Sequence, residues 1–373
     1  MKVLMLVTKL NTGGTEKYIL SVARYLMAHG VQVGVASRRG PLLKQFVQAG
    51  IQVHLLPPNR NLMRTQLQVL SSILNDGGYD LIHAHDTESY RYASILHAKH
   101  AQPIIATIHG TYHGRVALQS IARVARRLIV ISQNLSSWLM ESVHDARGKV
   151  VYIPNGINTT FFKPNAQQLK ARNSLALPPQ AQLAIYAGRV SPDKFPIAVK
   201  MVLSSEQVAK NNPRYVAVIF GAGAPHNRLK LNRLAANVNR RLGRQAIIVR
   251  MAIPNIQRAY HAADVVVGTG RVAMEALSCG KPVIAAGVAG YCGIVRKANM
   301  NRVSQANFGD HGATGPITVE QLTKDLTNLI QAPLRLKRLG QYGAKTIQER
   351  FTLEEVGARI MEEYRSVMVP IEG

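Results

Sequence analysis

The amino-acid sequence predicts an α/β protein with two Rossmann-like, doubly wound domains that face each other across a cleft. Short β-rich runs alternate with segments of helical periodicity along the chain. Most of these runs are apolar on both faces, as is typical of buried parallel strands. The alternation pauses once and then resumes. The length of 373 residues fits two or three domains of about 150 residues each.

Seven β-rich runs precede the pause and predict the sheet of a first domain, residues 1–165. They are Lys2–Thr8, Val31–Ser37, Ile51–Leu56, Leu81–His85, Pro103–His109, Leu128–Ser132 and Val150–Pro154. Helical periodicity fills the gaps, as in Lys17–Ala28, where Ile19 and Ala23 lie on one face. Because strands alternate with helices, we expect the sheet to be parallel.

The pause, Asn158–Gln180, is polar and rich in proline, so we interpret it as the linker region between the two domains. The second alternation predicts a second domain, residues 166–350. Its β-rich runs are Leu183–Ala187, Tyr215–Phe220, Ala246–Met251, Asp264–Val267 and Pro282–Ala286. The C-terminal segment, residues 351–373, contains an amphipathic helix, Leu353–Val367.

The chain is strongly basic, with 46 Lys and Arg against 20 Asp and Glu and a formal net charge of +26. This excess predicts an anionic partner, which would be a nucleic acid, an acidic membrane surface or a phosphorylated substrate. The sequence has no helix-turn-helix, zinc-finger or aromatic RNA-binding signature, so we expect no nucleic acid among the partners. The few carboxylates include no well-placed pair, which disfavours a glycosidase.

The sequence predicts neither a metal site nor a disulfide framework. Two cysteines, Cys279 and Cys292, are too few for either a framework or a four-ligand zinc site, and they fit a reducing cytosol. We find no Asp-x-Asp motif or His/Asp cluster suited to Mg²⁺ or Mn²⁺, so we expect no metal and no other cofactor. The sequence also lacks a secretory signal and a membrane-spanning apolar window, which predicts a cytoplasmic protein.

A basic amphipathic stretch in the first domain raises the question of membrane binding. Its basic residues are Arg115, Arg123, Arg126 and Arg127, and its apolar residues are Val116, Leu118, Ile121 and Val124. A helix of this kind lies on an anionic bilayer, which would make the protein peripheral on the inner face of the cell membrane. Alternatively, its apolar face packs on the core and its basic face is solvated. The sequence leaves both alternatives open.

Two loops that follow predicted strands have residues suited to phosphate. Gly13 and Gly14 follow the first strand and precede a helix, so this loop is either a phosphate-binding turn or a plain tight turn. In the second domain, Gly188 and Arg189 follow a strand, and Lys194 comes five residues after the arginine. The two cations either converge on one diphosphate or belong to a solvated charged loop.

A third such loop joins the strand that ends at Val267 to a helix. Its residues are Gly268, Thr269, Gly270, Arg271 and Val272. The backbone amides at the start of this helix would face an anion. Glu275 lies one turn further along and either accepts hydrogen bonds from two ribose hydroxyls or is a carboxylate on the helix surface.

Taken in order, these motifs resemble those of glycosyltransferase family 4, whose members are retaining enzymes of the GT-B architecture. The matching segments cover nearly the whole chain. They are Gly13-Gly14, Ile82–Asp86, Ile108–Gly110, Ile153–Asn158, Gly188–Lys194, Phe220–Gly223 and Met274–Ile284. The final helix resembles the family's C-terminal helix, which packs back toward the first domain.

The resemblance implies a role for each matching residue. The expected catalytic residues are His109 beside the transferred sugar, Arg189 and Lys194 at the diphosphate, and Glu275 at the ribose. The expected donor-binding residues are Gly13, Gly14, Gly188, Arg250, Met251, Ile253, Gly268, Thr269, Gly270, Arg271 and Val272. The segment Arg250–Ile253 would meet the nucleobase through its backbone. We assign His85 and Tyr112 to the acceptor side. Taken by itself, His109 would equally be a core histidine.

The sequence departs from the family pattern at several positions. The family has an earlier glutamate that touches sugar hydroxyls, and Val267 stands in its place. Thr269 replaces the usual phenylalanine, and Gly290–Gly293 lacks a later glutamate. Arg271 is an unusual charge in the loop, which either contacts a phosphate or lies in solvent.

The resemblance predicts a retaining, metal-independent hexosyltransferase. Its donor would be a nucleotide-sugar, with UDP as the favoured nucleotide. Its acceptor would be a hydroxyl group of a lipid-linked or cell-envelope glycan, and a soluble acceptor stays open. Two alternatives also stay open. The first is a degenerate protein that binds a nucleotide-sugar without catalysis. The second is a nucleotide-sugar epimerase of the same architecture, which usually has more acidic residues in the cleft.

Overall fold

The computed structural model describes residues 1–58 and 62–369, without the side chain of Ala222. Two units are present: Met1–Gly156 together with Leu353–Gly373, and Ile157–Thr352. Each unit is an α/β structure around a largely parallel sheet, so the predicted fold class of two Rossmann-like domains is confirmed. The first unit ends at Gly156, earlier than the predicted boundary at residue 165.

The first unit has a seven-stranded sheet in the order β3-β2-β1-β4-β5-β6-β7 within the described residues, and every pair is parallel. The strands are β1 Lys2–Lys9, β2 Gln32–Arg38, β3 Gln52–Leu55, β4 Leu81–Ala84, β5 Ile104–Ile108, β6 Arg127–Val130 and β7 Val150–Tyr152. The central strands are buried on both faces, which explains their uninterrupted apolar runs.

Helices cover both faces of this sheet. They are α1 Gly14–Ala28, α2 Leu43–Gln48, α3 Met63–Gly77, α4 Thr87–Leu96, α5 Arg115–Val124, α6 Gln133–Ser142 and α15 Leu353–Met368. The last of these returns to the first unit and packs on α1, where Gly357 approaches the ring of Tyr25. Val356, Ile360 and Tyr364 of α15 belong to the same apolar cluster as the strand core. The first unit is therefore built from two separated segments of the chain.

The amphipathic stretch at α5 faces the core. Leu118 and Ile121 are buried in the apolar cluster that includes β4 and β5. Arg123 forms an ion pair with Asp145, and Arg127 forms one with Glu363. Arg126 donates to the carbonyl of Val367 in α15. Most of the apolar face of this helix is thus buried in the unit, although Val116 is 69% exposed. Three of the four basic residues of the stretch, Arg123, Arg126 and Arg127, have partners within the unit. No helix among the described residues is long and apolar enough to cross a membrane.

The second unit has a six-stranded sheet in the order β10-β9-β8-β11-β12-β13 within the described residues. The strands are β8 Gln182–Val190, β9 Tyr215–Gly223, β10 Ile247–Met251, β11 Val265–Gly268, β12 Val283–Gly287 and β13 Gly290–Ile294. The last strand, β13, is antiparallel to β12 and was not predicted from the sequence. This strand contains two glycines at positive φ, Gly290 and Gly293. Because glycine is depleted in strands, the sequence pattern did not indicate one here.

The helices of the second unit are α7 Gln168–Ser174, α8 Phe195–Asn211, α9 Pro225–Leu242, α10 Gln257–Ala262, α11 Gly270–Ser278, α12 Met300–Gln305, α13 Val319–Ile330 and α14 Pro333–Arg350. The interpretation of Asn158–Gln180 as a linker is wrong, because this segment is part of the unit. Helix α7 packs on α10, and the buried Arg172 donates to the carbonyls of Ala262 and Ala181 and pairs with Asp264. Ala262 and Asp264 lie about 90 residues from Arg172, so the polar composition of the segment resembled a linker.

A glycine in α14 allows two parts of the second unit to approach closely. A Cβ at Gly340 would lie 2.0 Å from the carbonyl oxygen of Gly280, which follows α11. Backbone atoms cannot move aside as a flexible side chain can. The replacement Gly340→Ala should therefore lower the free energy of unfolding by about 1–3 kcal/mol, although alanine normally favours a helix. Thermal denaturation measures the change.

The matched control is Gly14→Ala, because a Cβ at Gly14 has no atom within 4 Å. We expect this control to unfold at the wild-type temperature or slightly above it. An unchanged melting temperature for Gly340→Ala would contradict the close packing of α14 on the turn after α11.

Candidate active site

The topology of the second unit gathers loops at one edge of its sheet. β8 is the first strand of this sheet, and its neighbours β9 and β11 lie on opposite sides of it. After the carboxyl ends of β8 and β11, the chain therefore continues toward opposite faces of the sheet. Such a switch point is where open α/β sheets bind ligands. Gly188 and Arg189 lie near the end of β8, and Gly268 ends β11.

The two predicted phosphate-binding cations lie on either side of the turn after β8. Arg189 is exposed, and Lys194 is the residue that precedes α8. The Lys194 Nζ lies 3.2 Å from Oδ1 of Asp310. Burial raises the pKa of Asp193, but a hydrogen bond from Ser191 and the charges of Arg189 and Lys194 outweigh it and lower this pKa overall. The loop therefore has a positive electrostatic environment.

The glycine turn after β11 requires its glycines. A Cβ at Gly268 would lie 2.5 Å from Cγ1 of Val272, which is packed on the core. Gly270 has φ +50°, in the left-handed region, and begins α11 directly after the extended Thr269. The first amides of α11 thus point out of the sheet edge beside the end of β8, as an anion site requires.

Glu275 lies inside the unit and not on the helix surface, since only 4% of it is exposed. Its Oε2 accepts a hydrogen bond of 3.0 Å from the hydroxyl of Tyr260, and its Oε1 pairs at 3.2 Å with Arg271. The side chain of Arg271 is 12% exposed, so the solvent-exposed alternative for Arg271 is wrong. The arginine instead lies along its own helix and contacts the carboxylate one turn later.

The segment predicted to meet the nucleobase spans the end of β10 and the residues just after it. The guanidinium of Arg250 donates to the carbonyls of Leu175 and Ala176, at 3.2 Å for the second. Met251 is exposed, and Ile253 is half-buried against the core. The side chains in this segment therefore serve structural contacts, and its backbone is the part left for a ligand.

The glycine loop of the first unit precedes α1, at the switch point between β1 and β4. A Cβ at Gly13 would lie too close to the carboxylate of Glu16, so a larger residue here would need that side chain to move. Gly14 is different, because no atom lies within 4 Å of a Cβ there. Its lack of a side chain keeps the space in front of α1 open, which is the feature of a phosphate-binding turn.

Histidines gather at the ends of β4 and β5, beside this loop. His85 and His109 are buried, with the Nε2 of His109 3.4 Å from the Nδ1 of His85. The ring of Tyr18 in α1 packs edge-on against both. The Nε2 of His85 has no hydrogen-bond partner among the described residues. A buried nitrogen without a partner is costly, and it marks a position where a ligand hydroxyl would fit.

A third histidine links this cluster to α15. The Nδ1 of His83 lies 2.6 Å from the hydroxyl of Tyr364, and its Nε2 lies 2.7 Å from the hydroxyl of Thr107. Its ring stacks on that of His85 with centroids 4.0 Å apart. Burial lowers the pKa of His83 to about 3. Burial, followed by the charges of His83 and His109, lowers the pKa of His85 well below its usual value. Both rings are therefore neutral near pH 7.

Tyr112, the second acceptor-side residue, lies on the loop after β5 and is 69% exposed. Its ring lies 4.5 Å from that of His113, centroid to centroid. His113 is buried, with its Nδ1 3.0 Å from the hydroxyl of Thr87. Burial lowers the pKa of His113 to about 4. The loop thus has a fixed histidine and a tyrosine open to solvent.

Several residues beside the predicted ones were not found from the sequence. They are Asp310 at Lys194, Tyr260 at Glu275, and His83 with Tyr364 near His85. Asp310, Tyr260 and Tyr364 lie outside the matching motifs, and each meets its partner only through the folded chain. His83 lies in the matching segment Ile82–Asp86, which does not indicate its contact with Tyr364. Among the described residues, no group of three or more His, Cys, Asp or Glu side chains could hold a metal ion.

The buried His113 predicts acid sensitivity of the first unit. The unfolded chain binds a proton at this residue below about pH 6.5, whereas the folded chain does not until about pH 4. Stability should therefore fall as the pH decreases through this interval. The replacement His113→Gln should remove about 1.4 kcal/mol per pH unit from this slope. Urea denaturation at several pH values measures it.

The control is His97→Gln, at an exposed position of the same unit. This change should leave the pH slope as it is in the wild type. A slope unaffected by His113→Gln would mean that the histidine is protonated in the folded unit.

Comparison with known proteins connects both units to one group of enzymes. Residues 12–161 match Glycosyltransferase Family 4, and residues 167–346 match Glycosyl transferases group 1. The D-inositol 3-phosphate glycosyltransferase of Thermobispora bispora is 26% identical, over 96% of this chain and 91% of that protein. A D-inositol 3-phosphate glycosyltransferase of Catenulispora acidiphila is also 26% identical, over 89% of this chain and 85% of that protein.

Among solved structures, HepE of Anabaena in complex with UDP-glucose aligns with a TM-score of 0.80 at 20% identity. The alignment covers 98% of this chain and 100% of HepE. A sucrose-phosphate synthase from Thermosynechococcus elongatus aligns with a TM-score of 0.77 at 19% identity, over 98% and 99% of the two chains. These likenesses show the GT-B fold. Together with the family matches, they establish that the chain belongs to the glycosyltransferases of the family 4 type.

Proposed function

We propose that this glycosyltransferase transfers a hexose from a UDP-sugar to a hydroxyl acceptor with retention and without a metal ion. One observation carries the proposal: Arg189, Lys194 and the start of α11 at Gly270 lie around a single switch point of the second unit. Two cations and a helix N-terminus at one sheet edge are suited to a diphosphate. The complex of HepE with UDP-glucose supports a uridine nucleotide.

In this proposal the bond between the anomeric carbon and the diphosphate breaks, and the electron pair leaves with UDP. Arg189, Lys194 and the amides at Gly270 stabilise the charge that grows on the leaving group. The acceptor oxygen bonds to the anomeric carbon on the same face, and its proton passes to the departing phosphate oxygen. Fixed cations provide this stabilisation, so a metal is not required.

The remaining donor contacts follow from the geometry of the second unit. A carboxylate has about four acceptor positions, and Tyr260 and Arg271 use two of those on Glu275. The others would accept from the ribose hydroxyls. The backbone at Arg250–Ile253 would contact the nucleobase, since its side chains are engaged elsewhere or turned to solvent.

We assign the residues of the first unit to the sugar and the acceptor. The neutral His85 has an unpartnered Nε2 and lies beside His109, which supports hydrogen bonds to hydroxyl groups. Gly14 would leave room for a phosphate in front of α1. Tyr112 is exposed on the loop after β5, at the same edge of the sheet as His109, where it would contact an acceptor ring.

For the acceptor we propose a lipid-linked or cell-envelope glycan at the inner face of the membrane. Exposed Tyr112 and Val116, with the basic Arg115 between them, form a small amphipathic tip that supports this assignment. A second candidate is a soluble phosphorylated cyclitol, favoured by the D-inositol 3-phosphate glycosyltransferases among the relatives and by the net charge of +26. Release of UDP in the presence of membrane extract or of inositol 3-phosphate separates the two.

A donor screen tests the proposal directly. We expect UDP-sugars to raise the melting temperature more than GDP-sugars or ADP-sugars, and one of them to release UDP when an acceptor is added. Stabilisation without release of any nucleotide would instead indicate a binding protein. Conversion of UDP-N-acetylglucosamine to its 2-epimer without an acceptor would indicate an epimerase.

The replacement Arg189→Ala should reduce sugar transfer by about ten- to a hundredfold, since a charged hydrogen bond to the leaving group is lost. Because the side chain is exposed, the melting temperature should stay at the wild-type value. Steady-state release of UDP measures the effect. Arg233→Ala, at an exposed position of α9, is the charge-matched control and should retain activity. Undiminished transfer by Arg189→Ala would contradict the scheme.

The replacement Gly14→Ala should impair activity without lowering stability. The added methyl group has open space in the folded unit, so stability is retained, but it occupies the approach to α1. We expect the KM for the donor to rise by about tenfold or more. Arg24→Ala, further along the exposed side of α1, should leave the KM unchanged. Wild-type kinetics for Gly14→Ala would exclude a donor contact at this loop.

A further inference from the structure

The missing sugar-binding glutamate leaves a chemical gap in the candidate site. Val267 stands in its position, and this side chain is fully buried within β11. It can neither reach a ligand nor accept a hydrogen bond. Either sugar hydroxyls are not recognised by a carboxylate in this protein, or another segment supplies one.

The structure contains a carboxylate beside the glycine turn that follows Val267. Asp310 follows a short 3₁₀ turn, Asn307–Gly309, and comes from a part of the chain that no motif singled out. Its Oδ1 and Oδ2 lie 3.2 and 3.3 Å from the Nζ of Lys194. Its Oδ2 would lie 3.2 Å from a Cβ at Gly270, the first residue of α11. Asp310 thus lies between the predicted diphosphate clamp and the glycine turn.

An unusual backbone conformation holds Asp310 there. Asn307 and Phe308 have φ values of +47° and +54°, in the left-handed region that a phenylalanine seldom adopts. The adjoining Gly309 approaches β12 so closely that a Cβ at Gly287 would lie 2.3 Å from its carbonyl oxygen. Strained residues of this kind persist where the surrounding structure imposes them, often at ligand sites.

The charge of Asp310 acts at the switch point itself. Burial raises the pKa of the Tyr186 hydroxyl, and the charges of Asp310 and Asp193 raise it further. Tyr186 lies directly beneath Gly188, where a Cβ would be 2.8 Å from the hydroxyl oxygen. A negative charge here opposes a bound diphosphate, so a role limited to phosphate binding would not favour an acid at this position. A carboxylate is suited instead to the uncharged, hydroxyl-bearing part of the donor.

We propose that Asp310 accepts hydrogen bonds from hydroxyl groups of the transferred sugar and so determines which sugar is used. This proposal rests on the function proposed above. Each carboxylate oxygen has two acceptor positions, and Lys194 and the amide of Val288 at 3.5 Å leave some of them open. The ligand class is therefore a hexosyl donor with free hydroxyls on its sugar ring. In this proposal, Lys194 lies between the Asp310 carboxylate and the diphosphate and contacts both.

The competing interpretation is that Asp310 only positions Lys194. The two differ in what they predict for the sugar. If Asp310 contacts hydroxyl groups, its replacement removes the preference for a hydroxyl over a hydrogen atom on the sugar. If Asp310 only positions the lysine, its replacement weakens the binding of UDP itself and leaves the sugar preference intact.

The test uses the full chain and the variant Asp310→Asn. The probes are UDP and whichever of UDP-glucose, UDP-galactose and UDP-N-acetylglucosamine the wild type turns over, with the 3-deoxy and 4-deoxy forms of that donor. We expect Asp310→Asn to bind UDP as tightly as the wild type or more tightly, because a negative charge is removed. Its kcat/KM for the natural sugar should fall by about ten- to a hundredfold.

The decisive comparison is between the deoxy donors. The wild type should discriminate against at least one of them by about tenfold or more, and Asp310→Asn should lose this discrimination. Asp193→Asn is the matched control, because it removes a charge beside the same two cations and should keep the discrimination. Preserved discrimination in Asp310→Asn, or weaker binding of UDP, would overturn the proposal.

Two further outcomes are distinguished by the wild type. If the wild type turns over a UDP-sugar and uses both deoxy forms as well as the parent donor, the inference about Asp310 is wrong and the proposed function stands. If the wild type neither binds UDP nor releases it from any donor, the proposed function fails and this inference fails with it. Should Asp310→Asn lose its fold, Asp310→Glu provides a second variant, which should retain UDP binding and change the ratio between donors.

Discussion

The order of the strands at the centre of the second unit is the constraint on which its candidate site depends. Since β8 lies between β9 and β11, the loops that leave its carboxyl end and that of β11 diverge and keep an opening between them. Segments far apart in sequence meet there, including Lys194 and Asp310, which are 116 residues apart. Backbone hydrogen bonds of the parallel sheet therefore fix the positions of the charged groups.

The composition does not show which basic side chains are open to a partner and which make contacts within the fold. Part of the excess serves the fold, because long basic side chains donate to backbone carbonyls. Arg172, Arg244 and Lys281 each bind two or more carbonyl groups of the second unit. Arg189 differs from these in being exposed at the sheet edge. A count of lysines and arginines thus overstates the charge that a partner meets.

The sequence was sufficient for the parts of the structure that depend on local patterns. Alternating apolar runs predicted the two sheets, and glycines after strands predicted the turns at Gly14 and Gly270. Contacts between residues far apart in sequence could not be predicted. The pairing of His83 with Tyr364 spans 281 residues, and no pattern near either one indicates it. The polar α7 was mistaken for a linker for the same reason, since Ala262 and Asp264, two of the partners of Arg172, lie about 90 residues away.

The return of α15 to the first unit has a consequence for protein synthesis. Residues before Gly156 leave the ribosome early, but the helix that completes their core follows only after Ile157–Thr352 has been translated. Until then, the apolar surface that Val356, Ile360 and Tyr364 will cover has no native partner. The second unit is continuous in sequence, whereas the first can complete its core only after the whole of the second has been translated. A nascent chain would therefore leave this apolar surface of the first unit uncovered while the second unit is being translated.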